Sequence, residues 1–177
     1  AITVENTANG ADLTVKNLTV DCTANYCQRG INYNTTGTLT LEGVTVKGKN
    51  VTYAVNLPGS SVGAEVSIKD SNLSGNIALN VWGENCVVNV KDTILTVIDN
   101  NSSEGYSAVM LNNDGETAAE GAVINITGGE INVTGNSYDD SYATSNATLT
   151  GKINISESTV VNGNITTFVA VIRYDNG

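Results

Sequence analysis

The chain has 177 residues, no His, and a formal net charge of −10 from 8 basic and 18 acidic side chains. Binding to phosphate backbones draws its affinity from Lys and Arg releasing counterions, so nucleic acid and anionic membrane surfaces are poor candidate partners. The missing imidazole removes the commonest general base and zinc ligand, and no apolar run reaches the roughly 18 residues of a membrane span.

The sequence starts at AITVEN and stops at VIRYDNG, directly after a strand-like run. It reads as a single domain, 1–177, that is a fragment or processed part of a larger surface protein. From Leu13 onward one phrase returns six times without gaps: LTVKNLTV, LTLEGVTV from Leu39, VSIKDSNL from Val66, VNVKDTIL from Val88, INITGGEI from Ile124 and INISESTV from Ile153. The first, third and eighth places are apolar in every copy, ending with Ile153, Ile155 and Val160. The fifth place is Asn17, Gly43, Asp70, Asp92, Gly128 or Glu157, all polar or turn-tolerant. Period-two alternation rich in Val, Ile and Thr predicts a strand, a corner and a second strand. A third strand-like run follows most copies, as in GINYN, YAVNLP, IALNVW, YSAVMLN and TFVAVIRY.

Between the first two copies, DCTANYCQRG holds Cys22 and Cys27, which could close a short disulfide loop in an oxidising compartment. The alternative is that these two and Cys86 are three small core residues. Asn-x-Ser/Thr triplets recur along the chain, as at Asn17, Asn72 and Asn164. In a eukaryotic secretory protein they would be glycan acceptors.

A unit of three short strands has one apolar face and cannot bury it alone. Stacking the units joins their inward residues into one core and pairs each strand with the next. The expected fold is all-β, a right-handed parallel β-helix solenoid of about six coils. A β-sandwich also has many short strands, but it has no reason to repeat one register six times. The units, particularly AEVSIKDSNLSGNIALNVWGENCVVNVKDTILTV from Ala64 to Val97, resemble the repeat of the pectin-lyase-like right-handed β-helix superfamily. That resemblance implies the fold and leaves the activity open, because the superfamily holds lyases, glycosidases, tailspikes and adhesins.

Resemblance to polygalacturonases would require a Gly-His-Gly element, which a chain without His cannot carry. Asp139-Asp140 is the only adjacent acidic pair, and it sits in a Tyr/Ser-rich insertion. Pectate-lyase chemistry would need calcium held by acidic side chains on adjacent coils with a basic residue nearby. Asp70 and Asp92 share the fifth place of consecutive copies, each preceded by a lysine, Lys69 and Lys91, so they are the candidate catalytic and calcium-binding set.

For binding, the second place of each copy, Thr14, Thr40, Ser67, Asn89, Asn125 and Asn154, predicts an outward ladder of hydroxyls and amides. In IALNVW the alternation turns Ile77, Leu79 and Val81 inward and leaves Trp82 outward or at a corner, where its apolar face suits a pyranose ring. Tyr106, Tyr138 and Tyr142 fall in the two longest insertions, about Ile98 to Gly121 and Thr134 to Thr148, and solenoid insertions often line a binding face. With Asp139 and Asp140 these aromatics form the candidate glycan-binding set. The sequence therefore reads as a non-catalytic extracellular or cell-surface module for presentation, adhesion or glycan binding, with no membrane insertion by this segment and no required cofactor. A calcium-assisted polysaccharide lyase and a purely structural stalk are the alternatives.

Overall fold

The structure, a computed structural model, describes residues 1–5, 10–49, 51–98, 106–113, 115, 118–134 and 141–167. Among these the regular structure is entirely strand, arranged as three parallel sheets. Sheet 1 holds Ile2–Val4, Cys27–Tyr33, Val51–Leu57, Ile77–Val81, Ser107–Leu111, Tyr142–Asn146 and Asn164–Thr167. Sheet 2 holds Leu13–Lys16, Thr38–Glu42, Glu65–Lys69, Val87–Lys91, Val123–Thr127 and Lys152–Ile155. Sheet 3 holds Thr19–Asp21, Thr45–Lys47, Asn72–Gly75, Ile94–Val97, Glu130–Val133 and Val160–Asn162. The chain visits sheets 2, 3 and 1 in turn, and each strand pairs with the one a coil away: a parallel β-helix of six coils.

The register is the one the repeat dictates. Leu13, Leu39, Val66, Val88, Ile124 and Ile153 are successive pairing partners in sheet 2. Each apolar position therefore meets its equivalents above and below, and the inward residues merge into one continuous core. Fully burying such a side chain contributes roughly 1.5–3 kcal/mol.

The fifth-place corner depends on a left-handed residue. Asn17, Gly43, Asp70, Asp92 and Gly128 have φ of 52°, 63°, 49°, 47° and 68°, the region that Gly enters freely and that Asn and Asp tolerate best among the rest. Each of the first four points its backbone N–H at the fourth-place carbonyl one coil on, at 2.9–3.1 Å. The sixth copy departs from this. Glu157 is not left-handed, and the corner takes an extra residue, so Val161 pairs with Ile131. Val160, expected inward, pairs with Glu130 and is exposed. Hydroxyls replace the missing geometry: Ser158 accepts from the Gly128 N–H at 3.1 Å, and Thr159 donates to the Gly128 carbonyl at 3.3 Å.

Sheet 1 breaks simple alternation. Ala54 and Val55, Ala78 and Leu79, and Ala108 and Val109 are consecutive pairs that both face the core, so the strand bends at the small residue. Ile77, expected inward, lies outside that core although it is buried. Gly30 begins the small-residue column, because an added Cβ there would sit 2.5 Å from Val46 Cγ1. Two third strands also differ from expectation. Tyr142–Asn146 arises inside what reads as an insertion, and the sixth is Asn164–Thr167, whereas most of TFVAVIRY lies outside the described residues.

The same sheet carries a buried amide ladder. Asn112 Nδ2 donates to Asn80 Oδ1 at 3.1 Å, Asn80 to Asn56 at 2.8 Å, and Asn56 to Asn32 at 2.7 Å. Truncating Asn80 to Ala leaves two buried amide groups unsatisfied, and such groups cost about 1–3 kcal/mol each. Asn154→Ala removes a comparable bond in solvent, where a change is expected to stay within about 0.5 kcal/mol. Urea unfolding of the two variants is expected to show that contrast.

Candidate functional site

The acidic pair occupies exposed corners. Lys69 and Lys91 are direct register partners, and the Asp70 N–H donates to the Lys91 carbonyl at 3.1 Å. The Asp70 carboxylate pairs with Lys69 Nζ at 3.1 Å. That hydrogen bond, with the charge of Asp70, raises the Lys69 ammonium above its usual range, whereas a lysine base needs a lowered value. The Asp92 carboxylate lies over Gly128, where an added Cβ would be 2.3 Å from Asp92 Oδ1. Among the described residues no three Cys, Asp or Glu side chains converge as metal ligands.

The outward row of sheet 2 is present as read. Asn125 Nδ2 donates to Asn89 Oδ1 at 2.9 Å and Asn154 Nδ2 to Asn125 Oδ1 at 2.8 Å. A parallel step on sheet 3 joins Asn162 to Asn132 at 2.7 Å.

The aromatic residues gather on sheet 1: Tyr106 and Tyr142 stand at the entry to their strands, and Trp82 directly follows the end of Ile77–Val81. Trp82 is half-buried and meets Tyr53 edge-on, with ring centroids 5.7 Å apart. The Tyr142 N–H donates to the Tyr106 carbonyl at 2.8 Å, so the two insertion tyrosines stand on neighbouring coils, each half-buried. Tyr53 links the two groups. Burial raises its phenol above the usual range, the Arg29 guanidinium opposes that shift, and the Tyr26 and Tyr106 hydroxyls add to it. Tyr26 Oη lies 3.2 Å from Thr52 Oγ1 and its residue is 69% exposed. Tyr138, Asp139 and Asp140 lie outside the described residues.

Beside this cluster opens a cavity of about 700 Å³, lined in part by Glu5, Asp21, Tyr26, Gln28, Arg29 and Asn32. Arg29 is the pairing partner of Tyr53. Its Nη1 donates to Gln28 Oε1 at 3.2 Å, while its Nε is buried with no partner among the described residues. The indole N–H of Trp82 is buried and unpaired in the same sense. Asn32 ends the buried ladder: its oxygen accepts from Asn56, and the residue lines the cavity. Asp21 accepts from the Thr23 N–H at 2.9 Å and pairs with Lys47 at 3.1 Å, which lowers its carboxyl to about 2.

None of Tyr26, Gln28, Arg29 or Asn32 stood out in the sequence. The loop DCTANYCQRG was legible for its cysteines alone, and the signal that could have found the site is the recurrence of Asn at one place in INYN, VNLP and LNVW.

Cys22 and Cys27 are free thiols that neighbour one another at the cavity edge. Burial first, then the Cys27 thiol, pushes Cys22 up to about 11. Cys86 is buried, donates to the Ser61 carbonyl at 2.9 Å, and is likewise pushed up to about 11 by burial.

Comparison with protein-family models, with curated proteins and with solved structures finds no match. The class that the fold defines is the parallel β-helix, and the superfamily resemblance stands on the repeat alone.

Because the thiolate is the reactive form, alkylation of Cys22 and Cys86 is expected to stay slow in the folded chain until the pH nears 11. Both thiols are protonated more tightly folded than unfolded. Their contribution to stability is therefore intact below the ordinary thiol value, near 8.5, and falls away as the pH climbs to about 11. Iodoacetamide labelling read by mass spectrometry, alongside alkaline unfolding, measures both effects.

Proposed function

We propose that this β-helix is a non-catalytic extracellular or cell-surface module that presents its outer faces for adhesion or glycan binding. The observation that carries the reading is the aromatic set on sheet 1, where Tyr53, Trp82, Tyr106 and Tyr142 occupy successive coils. Sugar rings present C–H faces that pack on aromatic rings, while their hydroxyls seek amides and hydroxyls. Polar rows on the outer faces of sheets 2 and 3 supply the second kind of partner along the same axis.

The runner-up is a calcium-assisted polysaccharide lyase built on Asp70, Asp92 and Lys91. Calcium favours six to eight oxygen ligands, and two exposed corner carboxylates provide a small part of that set. Lys69, the other lysine of the group, is committed to Asp70.

Incubation with acidic and neutral polysaccharides, with and without calcium, separates the readings when cleavage and retention are followed together. Retention without cleavage, weakened severalfold by Trp82→Ala, is the expected outcome. Calcium-dependent cleavage that disappears in Asp92→Ala would establish the lyase instead, and neither signal would leave a structural stalk.

A further inference from the structure

The cavity beside the first full coil has a composition that selects among ligands. We infer that it is a binding site for a neutral pyranose, the terminal ring of an oligosaccharide; this rests on the glycan-binding reading above and names the ligand class. The volume of about 700 Å³ lies within the range of small-molecule sites, roughly 300–1,000 Å³.

Charge decides against an ion. Arg29 faces the cavity without a carboxylate partner among the described residues, and Glu5 and Asp21 face it from the other walls. An anionic ligand would satisfy Arg29 and be repelled by the two carboxylates. A cationic ligand would meet the reverse problem, and Asp21 already spends its charge on Lys47. A vicinal diol has neither difficulty, since each hydroxyl donates one hydrogen bond and accepts others.

The donors are positioned for such a ligand. Arg29 lines the cavity beside Gln28, with Nη1 donating to Gln28 Oε1 at 3.2 Å. Asn32, held through its oxygen by Asn56, also lines the cavity. Glu5 and Asp21 add carboxylate acceptors to the lining. Tyr26, the most exposed aromatic side chain among the described residues, stands at the rim where its ring can cover the C–H face of a sugar. Side-chain donors, carboxylate acceptors and one exposed ring in one lining together match an uncharged polyol.

The chain has a single Trp, half-buried beside Tyr53, so intrinsic fluorescence reports on this region without labelling. The test titrates the whole chain with neutral β-linked glucose and mannose oligosaccharides and with oligogalacturonate, at low and high salt. It compares the unmodified protein with Tyr26→Ala, Gln28→Ala, Arg29→Met and the control Leu149→Ala, at an exposed residue between strands Tyr142–Asn146 and Lys152–Ile155. Thermal melts confirm that each variant is folded; Tyr26 and Gln28 are exposed, so their variants keep the test valid if Arg29→Met fails to fold.

The expected result is salt-insensitive binding of a neutral oligosaccharide, weakened about tenfold or more by Tyr26→Ala and Arg29→Met and unchanged by Leu149→Ala. Salt-sensitive binding of oligogalacturonate in preference to neutral sugars would overturn the neutral assignment. Neutral binding that survives the cavity variants would overturn the site while sparing the glycan-binding reading. Binding to no sugar at all would overturn both.

Discussion

Each coil of this protein must place its side chains directly over those of the coil before it, and nearly every other feature follows from that constraint. Parallel strands stack at about 4.8 Å, so an inward Val or Leu contacts its own counterpart above and below. An error of one residue would turn a whole strand inside out. The corners therefore cannot drift. A single left-handed residue at Asn17, Gly43, Asp70, Asp92 and Gly128 sets the angle between sheets 2 and 3 and aims one N–H at the next coil. Where Glu157 occupies that place, the corner lengthens by one residue and Ser and Thr hydroxyls make the connection.

That account explains what could be read in the sequence. The first and third places announce themselves because apolar residues at a period of two leave no alternative for sheet 2. The corner announces itself because Asn, Asp and Gly are the residues that accept positive φ. Sheet 1 was less legible. At Ala78 and Leu79 two consecutive residues face inward, and a rule of alternation has no provision for a bend. Extrapolating across it misplaced Ile77. The strand Tyr142–Asn146 hid for a related reason: YATSN has only Ala143 to mark its inward side, and Thr144, although buried, looks like a surface residue. Stacking of Cys27–Tyr33 on Ile2–Val4 brings Thr3 and Glu5 to the cavity beside Arg29 and Asn32, a contact with no local trace in the sequence.

The irregular sheet is also where candidate function gathers. Sheets 2 and 3 alternate cleanly, and their outward residues stand in straight solvated rows. Sheet 1 bends at Gly30, Ala54, Ala78, Ala108 and Ala143, and the residues before the bend, Arg29, Tyr53, Ile77, Ser107 and Tyr142, are turned out together. The bend therefore gives these residues a shared outer surface, which Trp82 then joins through Tyr53.

The two sets of amide ladders show how environment divides the same chemistry. Bonds of 2.7–3.1 Å join Asn32, Asn56, Asn80 and Asn112, and bonds of 2.8–2.9 Å join Asn89, Asn125 and Asn154. The geometries are alike. The buried amides have no water to fall back on, so losing one neighbour leaves a desolvated dipole and each coil enforces the identity of the next. Exposed amides exchange a neighbour for water at little net cost, and by the same token for the hydroxyl of a ligand. Asn32 stands between these regimes: its oxygen is held by the buried series, and the residue lines the cavity. A donor fixed in place by a desolvated chain loses little freedom when a ligand accepts its hydrogen bond, which is the sense in which the core of this solenoid organises its surface.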